Sequence, residues 1–319
     1  MVPGKLRNCW TRPSFSLLAE FSRAKQYIHT DFQVTSQALK EYKDVPYDDV
    51  SIMAPCFFTD IDLAGAATPG NVLFGKTTWI SGHQNTLPSN VTDVSSYDVM
   101  DELISYYLDI TKFPSLETVV FAGSSAGGQM TQRYALLRKT HLLQDSRIQY
   151  WVASPGSLAW LTEERPFPNE ACDGVDSWKY GLTDKLPSYT LEEIPRLNRR
   201  LLVERYLRRK IHYAFGDADN GPGDTRCQAV TQGASHIERG RKFLEMIDGL
   251  GGLRDGSTVD YLPGVTHSLT GLVLNEKSEE RVCLDFLTYQ ISPCSPEFDD
   301  LAIQNYLILS NLTTYLPTF

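Results

Sequence analysis

Short runs of consecutive apolar residues alternate along this chain with longer stretches whose apolar positions recur every three to four residues. The short runs are VSIMAP (50–55), ETVVFA (117–122), IQYWVA (148–153), KIHYAF (210–215) and TVDYL (258–262). Each is strand-length and rich in β-branched or aromatic residues. Most lack the polar alternation of a half-exposed strand, as expected for a sheet covered on both faces. Between them, residues 96–110 (SYDVMDELISYYLDI) place Val99, Leu103, Tyr106 and Tyr107 at helical spacing. Residues 129–139 and 234–247 read as further helices. Strand and helix in alternation predict an α/β architecture, a mostly parallel sheet flanked by helices.

No internal repeat or low-complexity tract divides the chain, so residues 1–319 read as a single domain. Regular alternation lapses over residues 155–209, where prolines mix with Trp160, Trp178, Tyr180 and Tyr189. This segment reads as a cap-like insertion over a pocket, with ordinary core packing as the alternative. Residues 287–319 form a tail that the pattern leaves unplaced.

Composition narrows the functional classes. Among 319 residues, 42% are hydrophobic and 22% charged, which is ordinary globular usage. The formal net charge of −9 argues against a nucleic-acid partner. The basic cluster of Arg199, Arg200, Arg205, Arg208, Arg209 and Lys210 lies among acids and reads as a solvated helix face. No apolar run has the length of a membrane helix. The basic start, MVPGKLRNCWTRPSFSLLAEF, is interrupted by Arg12 and Pro13 before a secretory core could form, so a cytoplasmic location is expected. The six cysteines, Cys9, Cys56, Cys172, Cys227, Cys283 and Cys294, form no C-x-x-C pair and read as scattered thiols. Cysteine and histidine do not cluster at zinc spacing, so neither a metal nor a cofactor is expected.

The candidate chemistry lies in FAGSSAGGQM (121–130). Gly123-Ser124-Ser125-Ala126-Gly127 matches G-x-S-x-G, a pattern that chance supplies in about one protein in ten of this length. Its context is more specific, because it follows a predicted strand and opens a predicted helix. Glycines at 123 and 127 permit a sharp turn that exposes Ser125 at a helix N-terminus. The Ala126 N–H would then face a developing oxyanion. No lysine follows, which excludes a Walker loop, and G-x-G-x-x-G is absent.

A serine nucleophile needs a base, and the base an orienting acid, in the chain order serine, acid, histidine. KIHYAF runs into Gly216-Asp217-Ala218-Asp219-Asn220-Gly221, and TVDYL into Pro263-Gly264-Val265-Thr266-His267-Ser268. His267 is therefore the candidate base. Asp217, Asp219 and Asp224 are candidate acids; Asp219 is preferred because it lies deeper in its loop, with Asp217 as fallback. His212, within a strand, and His236, within a helix, read as structural. DADNGPGD fails as a calcium loop, since Pro222 and Gln228 stand where glycine and glutamate are needed.

These motifs resemble the α/β-hydrolase superfamily and, more narrowly, a group of fungal serine hydrolase-like proteins. The matching stretches include FPSLETVVFAGSSAGGQMTQRYA, YWVASPGSLAWLTEERP, DSWKYGL, HYAFGDADNGPGDTRCQAVTQGASHIERGRKF and LPGVTHS, within residues 45–275. The resemblance implies an eight-stranded type of sheet, a triad of Ser125, Asp219 and His267, and hydrolysis of an ester-like bond. The expected substrate is a carboxylic ester or lactone of a small, partly apolar metabolite. Departures lie at the ends. Where the superfamily carries a His-Gly stretch that donates one oxyanion N–H, this chain reads QYIHTDFQVTSQAL, with Thr30 after His29. Incomplete early strands are therefore expected, and a catalytically impaired, ligand-binding hydrolase-like protein is the alternative function.

Overall fold

A computed structural model describes residues 14–18, 50–53, 55–64, 67–68, 70–140, 144–191 and 198–284. The stretch QYIHTDFQVTSQAL and the tail 287–319 lie outside the described residues. Six strands form the main sheet: β1 (Ser14–Leu18), β2 (Val50–Ile52), β6 (Val119–Ser124), β7 (Ile148–Ala153), β8 (Lys210–Gly216) and β9 (Thr258–Leu262). They run in the order β2-β1-β6-β7-β8-β9, and every pairing is parallel. Against the eight implied by the resemblance, six strands are found in this sheet among the described residues. One of them, β1, comes from the opening segment and lies between β2 and β6. A second sheet is small and mixed: β3 (Phe58–Thr59) pairs parallel with β4 (Leu73–Phe74), which pairs antiparallel with β5 (Asn85–Leu87).

The apolar runs become central strands because both of their faces are covered. All six residues of β6 and of β7 are buried. Side chains alternate across a strand, so one run feeds two cores. Val119 and Phe121 join the larger cluster, while Val120 and Ala122 join a smaller one with Trp151, Leu262 and Leu272.

Helix α1 (Ser96–Leu108) begins where Ser95 accepts from the Tyr97 N–H (3.0 Å) and Asp98 accepts from the Ser95 N–H (2.8 Å), a reciprocal cap. Helix α2 (Ala126–Leu137) starts three residues earlier than its periodicity predicts, because β6 passes into it through Ser125 alone. Helix α3 (Arg199–Leu207) precedes β8. The short α4 (Cys227–Val230) and then α5 (His236–Gly249) connect β8 to β9, and α6 (Leu269–Val273) follows β9. Helix α5 starts two residues later than expected because Ser235 caps it, accepting from the Glu238 N–H.

Residues 155–191 are ordered with little regular structure. Trp160, Trp178 and Tyr189 are buried in the same cluster as Phe121 and Tyr150. The Arg165 guanidinium substitutes for a hydrogen-bond ladder, donating to the carbonyls of Thr162 (2.8 Å), Glu163 (3.0 Å) and Tyr180 (3.2 Å), among others. Two cysteines read as free thiols prove to be joined: Cys172 and Cys227 form a disulfide across 55 residues. Spacing along the chain gave no sign of this pairing, because the two meet only when residues 155–191 fold against the β8–α5 connection.

Candidate active site

Strand β6 delivers Ser125 at its carboxyl end. The serine has φ 53° and ψ −113°, a region costly for a residue with a Cβ. Two contacts maintain this backbone. The Ser125 N–H donates to the Ala153 carbonyl at the end of β7 (2.9 Å), and the Gln129 N–H donates to the Ser125 carbonyl (3.0 Å). The flanking glycines are required by space. A Cβ on Gly123 would overlap the Gly127 carbonyl, and one on Gly128 would lie 2.6 Å from the Ala153 oxygen. Ala126 is the first residue of α2, so its N–H belongs to the helix's uncommitted N-terminal donors.

The loops after β8 and β9 bring two distant side chains to this serine. His267 Nε2 lies 2.9 Å from Ser125 Oγ, and His267 Nδ1 lies 2.8 Å from Asp219 Oδ2. A carboxylate only accepts, so Nδ1 carries the proton and Nε2 is left to accept from the serine hydroxyl. Asp219 is buried, whereas His267 is partly exposed. The other two acids serve elsewhere. Asp217 Oδ1 accepts from the Gly264 N–H (2.7 Å), tying the acid loop to the histidine loop. Asp224 makes two bonds with Arg226 (2.7 and 2.6 Å) and accepts from the Tyr180 hydroxyl (2.8 Å). Burial opposes ionisation of Asp224, but these donors outweigh it and bring its pKa to about 2.

His236 belongs to this constellation, although the sequence reading placed it in a helix interior. Its ring stacks on that of His267 with centroids 4.0 Å apart and planes 17° apart. Its Nδ1 lies 3.0 Å from Asp219 Oδ1, close enough for charge interaction but off the line of a hydrogen bond. Burial, then the neighbouring His267, lower its pKa to about 4, and it is neutral at pH 7. The missed signal was the cap: Ser235 with Glu238 starts the helix at His236 and so places it at the carboxyl edge of the sheet. Asp219, His236 and His267 also gather three potential metal ligands. In the tautomer that Asp219 sets, however, His267 Nδ1 carries a proton and offers no lone pair to an ion.

Arg239, one turn further along α5, fastens the acid loop. It is fully buried and donates to the carbonyls of Gly156 (2.6 Å), Pro222 (2.7 Å), Asp224 (2.9 Å), Ala229 (3.0 Å) and Gly233 (2.9 Å). His212, by contrast, is a satisfied strand residue, bonded to Thr258 and Gln149 at 3.0 Å each.

Among solved structures, the chain resembles LpqC, a poly(3-hydroxybutyrate) depolymerase from Bordetella parapertussis. The match has a TM-score of 0.55 and 18% identity, covering 88% of this chain and 80% of that one. An IroE-like serine hydrolase from Shewanella oneidensis aligns with a TM-score of 0.45 and 16% identity, over 96% of this chain and 79% of that one. The siderophore hydrolase EstA from Aspergillus nidulans aligns with a TM-score of 0.40 and 13% identity, over 85% and 81%. No protein-family model matches the sequence, and no curated protein matches it. The first likeness, with the parallel sheet and its flanking helices, defines an α/β-hydrolase fold.

Proposed function

We propose that this chain is a serine hydrolase that cleaves a carboxylic ester or lactone of a small, partly apolar metabolite. The observation that carries this reading is the continuous hydrogen-bonded chain from Ser125 Oγ through His267 to Asp219. Ser125 attacks the ester carbonyl while His267 Nε2 takes its proton, and the carbonyl π electrons move to oxygen. The Ala126 N–H stabilises that oxyanion. Collapse expels the alcohol, which leaves with the proton held by His267. Water, deprotonated by His267, then attacks the acyl-enzyme, and Ser125 is regenerated with release of the acid. Asp219 fixes the imidazole tautomer and stabilises the imidazolium throughout.

The motifs resemble those of fungal hydrolase-like proteins. No helix among the described residues is long and apolar enough to cross a membrane. The Cys172–Cys227 disulfide favours an oxidising compartment over the cytoplasm expected from the interrupted apolar start. A fluorophosphonate probe tests the reaction: it labels the wild type at Ser125 and leaves Ser125→Ala unlabelled. Well-folded wild type that resists labelling would overturn the reading.

A further inference from the structure

Beyond the nucleophile, one face of α2 leads to an unbalanced group of cations. Ser125, Gln129 and Arg133 are spaced by four residues, so they form one stripe of about 6 Å per step. Ser157 links this stripe to the acid loop. Its Oγ lies 2.9 Å from Gln129 Oε1 and 3.2 Å from Asp224 Oδ2, and it accepts from Arg133 Nη2 (3.0 Å). The Arg133 guanidinium is wholly buried. Its Nε donates to the Lys179 carbonyl (3.2 Å), but its Nη1 has no hydrogen-bond partner among the described residues.

Around it, Lys179 Nζ lies 5.9 Å from the centroid of the Tyr180 ring, and the Arg226 guanidinium lies 5.5 Å from the same ring. Asp224 is committed to Arg226 and Tyr180. No carboxylate among the described residues lies within ion-pair distance of Lys179. Three basic side chains thus face one carboxylate in a chain whose net charge is −9. Burial, then Arg133 and Arg226, lower the Lys179 pKa to about 7, and Lys179 in turn helps burial to keep the nearby His83 neutral. A bracing role accounts for Arg133 Nε and Nη2. It leaves Nη1 unpartnered, and an unpaired buried donor is costly; the half-buried Lys179 ammonium has the Tyr180 ring but no carboxylate beside it among the described residues.

We propose that Lys179, with the free edge of Arg133 and the guanidinium of Arg226, forms an anion subsite two helical turns along α2 from Ser125, and that the ester cleaved by this serine carries one carboxylate. The carboxylate takes hydrogen bonds from Arg133 Nη1 and Lys179 Nζ, and each is a charge-assisted bond in a partly water-excluded setting. The proposal rests on the serine hydrolase reading, and its test separates the two.

The kcat/KM of monoethyl adipate is compared with that of the uncharged ethyl hexanoate, following acid release at constant pH. The wild type should favour the charged ester at least tenfold. Lys179→Met should lower that ratio at least tenfold, mainly through KM, whereas Lys179→Arg should retain most of it. Equal rates for the two esters, or a ratio unchanged in Lys179→Met, would overturn the subsite. If neither ester turns over and fluorophosphonate does not label, the hydrolase reading fails and calorimetry decides the subsite. Ser125→Ala protein should bind monoethyl adipate saturably and lose that binding when Lys179→Met is added. Absence of saturable binding would overturn the subsite.

Discussion

Ser125 holds a positive φ that its own Cβ disfavours, and the surrounding backbone must supply what that strain costs. The chemistry proposed for it depends on a single tautomer of His267, set by Asp219 across 2.8 Å. Asp219→Asn turns an amide toward Nδ1 and allows the wrong tautomer. The kcat for an activated ester should then fall by about 10³–10⁴-fold, a magnitude known from other serine hydrolases, with KM little changed. His236 makes a prediction about pH. Its folded pKa is depressed from the ordinary 6.5 to about 4, so the unfolded chain binds the extra proton first as pH falls. Stability from this group is therefore complete above pH 6.5 and is lost between about 6.5 and 4, by on the order of 3 kcal/mol. Denaturant titrations across that range should show a flatter pH dependence in His236→Phe than in the wild type. Equal slopes would show that His236 titrates alike in the native and unfolded states.

Helix α2 is an element whose propensity and whose packing disagree. Alanine at position 128 would gain up to about 1 kcal/mol of helix propensity over glycine. Yet its Cβ would lie 2.6 Å from the Ala153 oxygen, the same oxygen that accepts the Ser125 N–H. Backbone overlap of this kind costs about 1–3 kcal/mol, so packing wins. Gly128→Ala should melt at lower temperature and label more slowly with fluorophosphonate. The β8–α5 connection is held differently, by Arg239 and by the disulfide at Cys227. Closing 55 residues restricts the unfolded chain, and replacing both cysteines by serine should cost roughly 2–4 kcal/mol in denaturant unfolding.

At the scale of the whole molecule, the parallel order β2-β1-β6-β7-β8-β9 sends the carboxyl ends of β6, β8 and β9 to one edge. Serine, acid and histidine loops leave from that edge, as open α/β sheets generally arrange their sites. The cross-link between residues 155–191 and the acid loop joins two parts of the chain that share no strand pairing. Protein made in an oxidising compartment should therefore present Cys172 and Cys227 as unreactive toward a thiol reagent until it is reduced. Reactivity of both in the native protein would remove the disulfide from the account.

Strand and helix alternation was legible in the sequence because burial on both faces leaves continuous apolar runs. The turn at Ser125 was legible because only glycine fits beside it at 123. His267 could be chosen from its place after TVDYL. For the acid, sequence offered Asp217, Asp219 and Asp224 within eight residues, and only the folded loop directs one of them at His267 while Gly264 and Arg226 occupy the others. The Ser235 cap held a local sign of where His236 lies, but Arg239, the Lys179 cluster and the disulfide were decided by tertiary structure alone. Each of these depends on segments distant in sequence meeting in the fold, and local periodicity carries no record of such meetings.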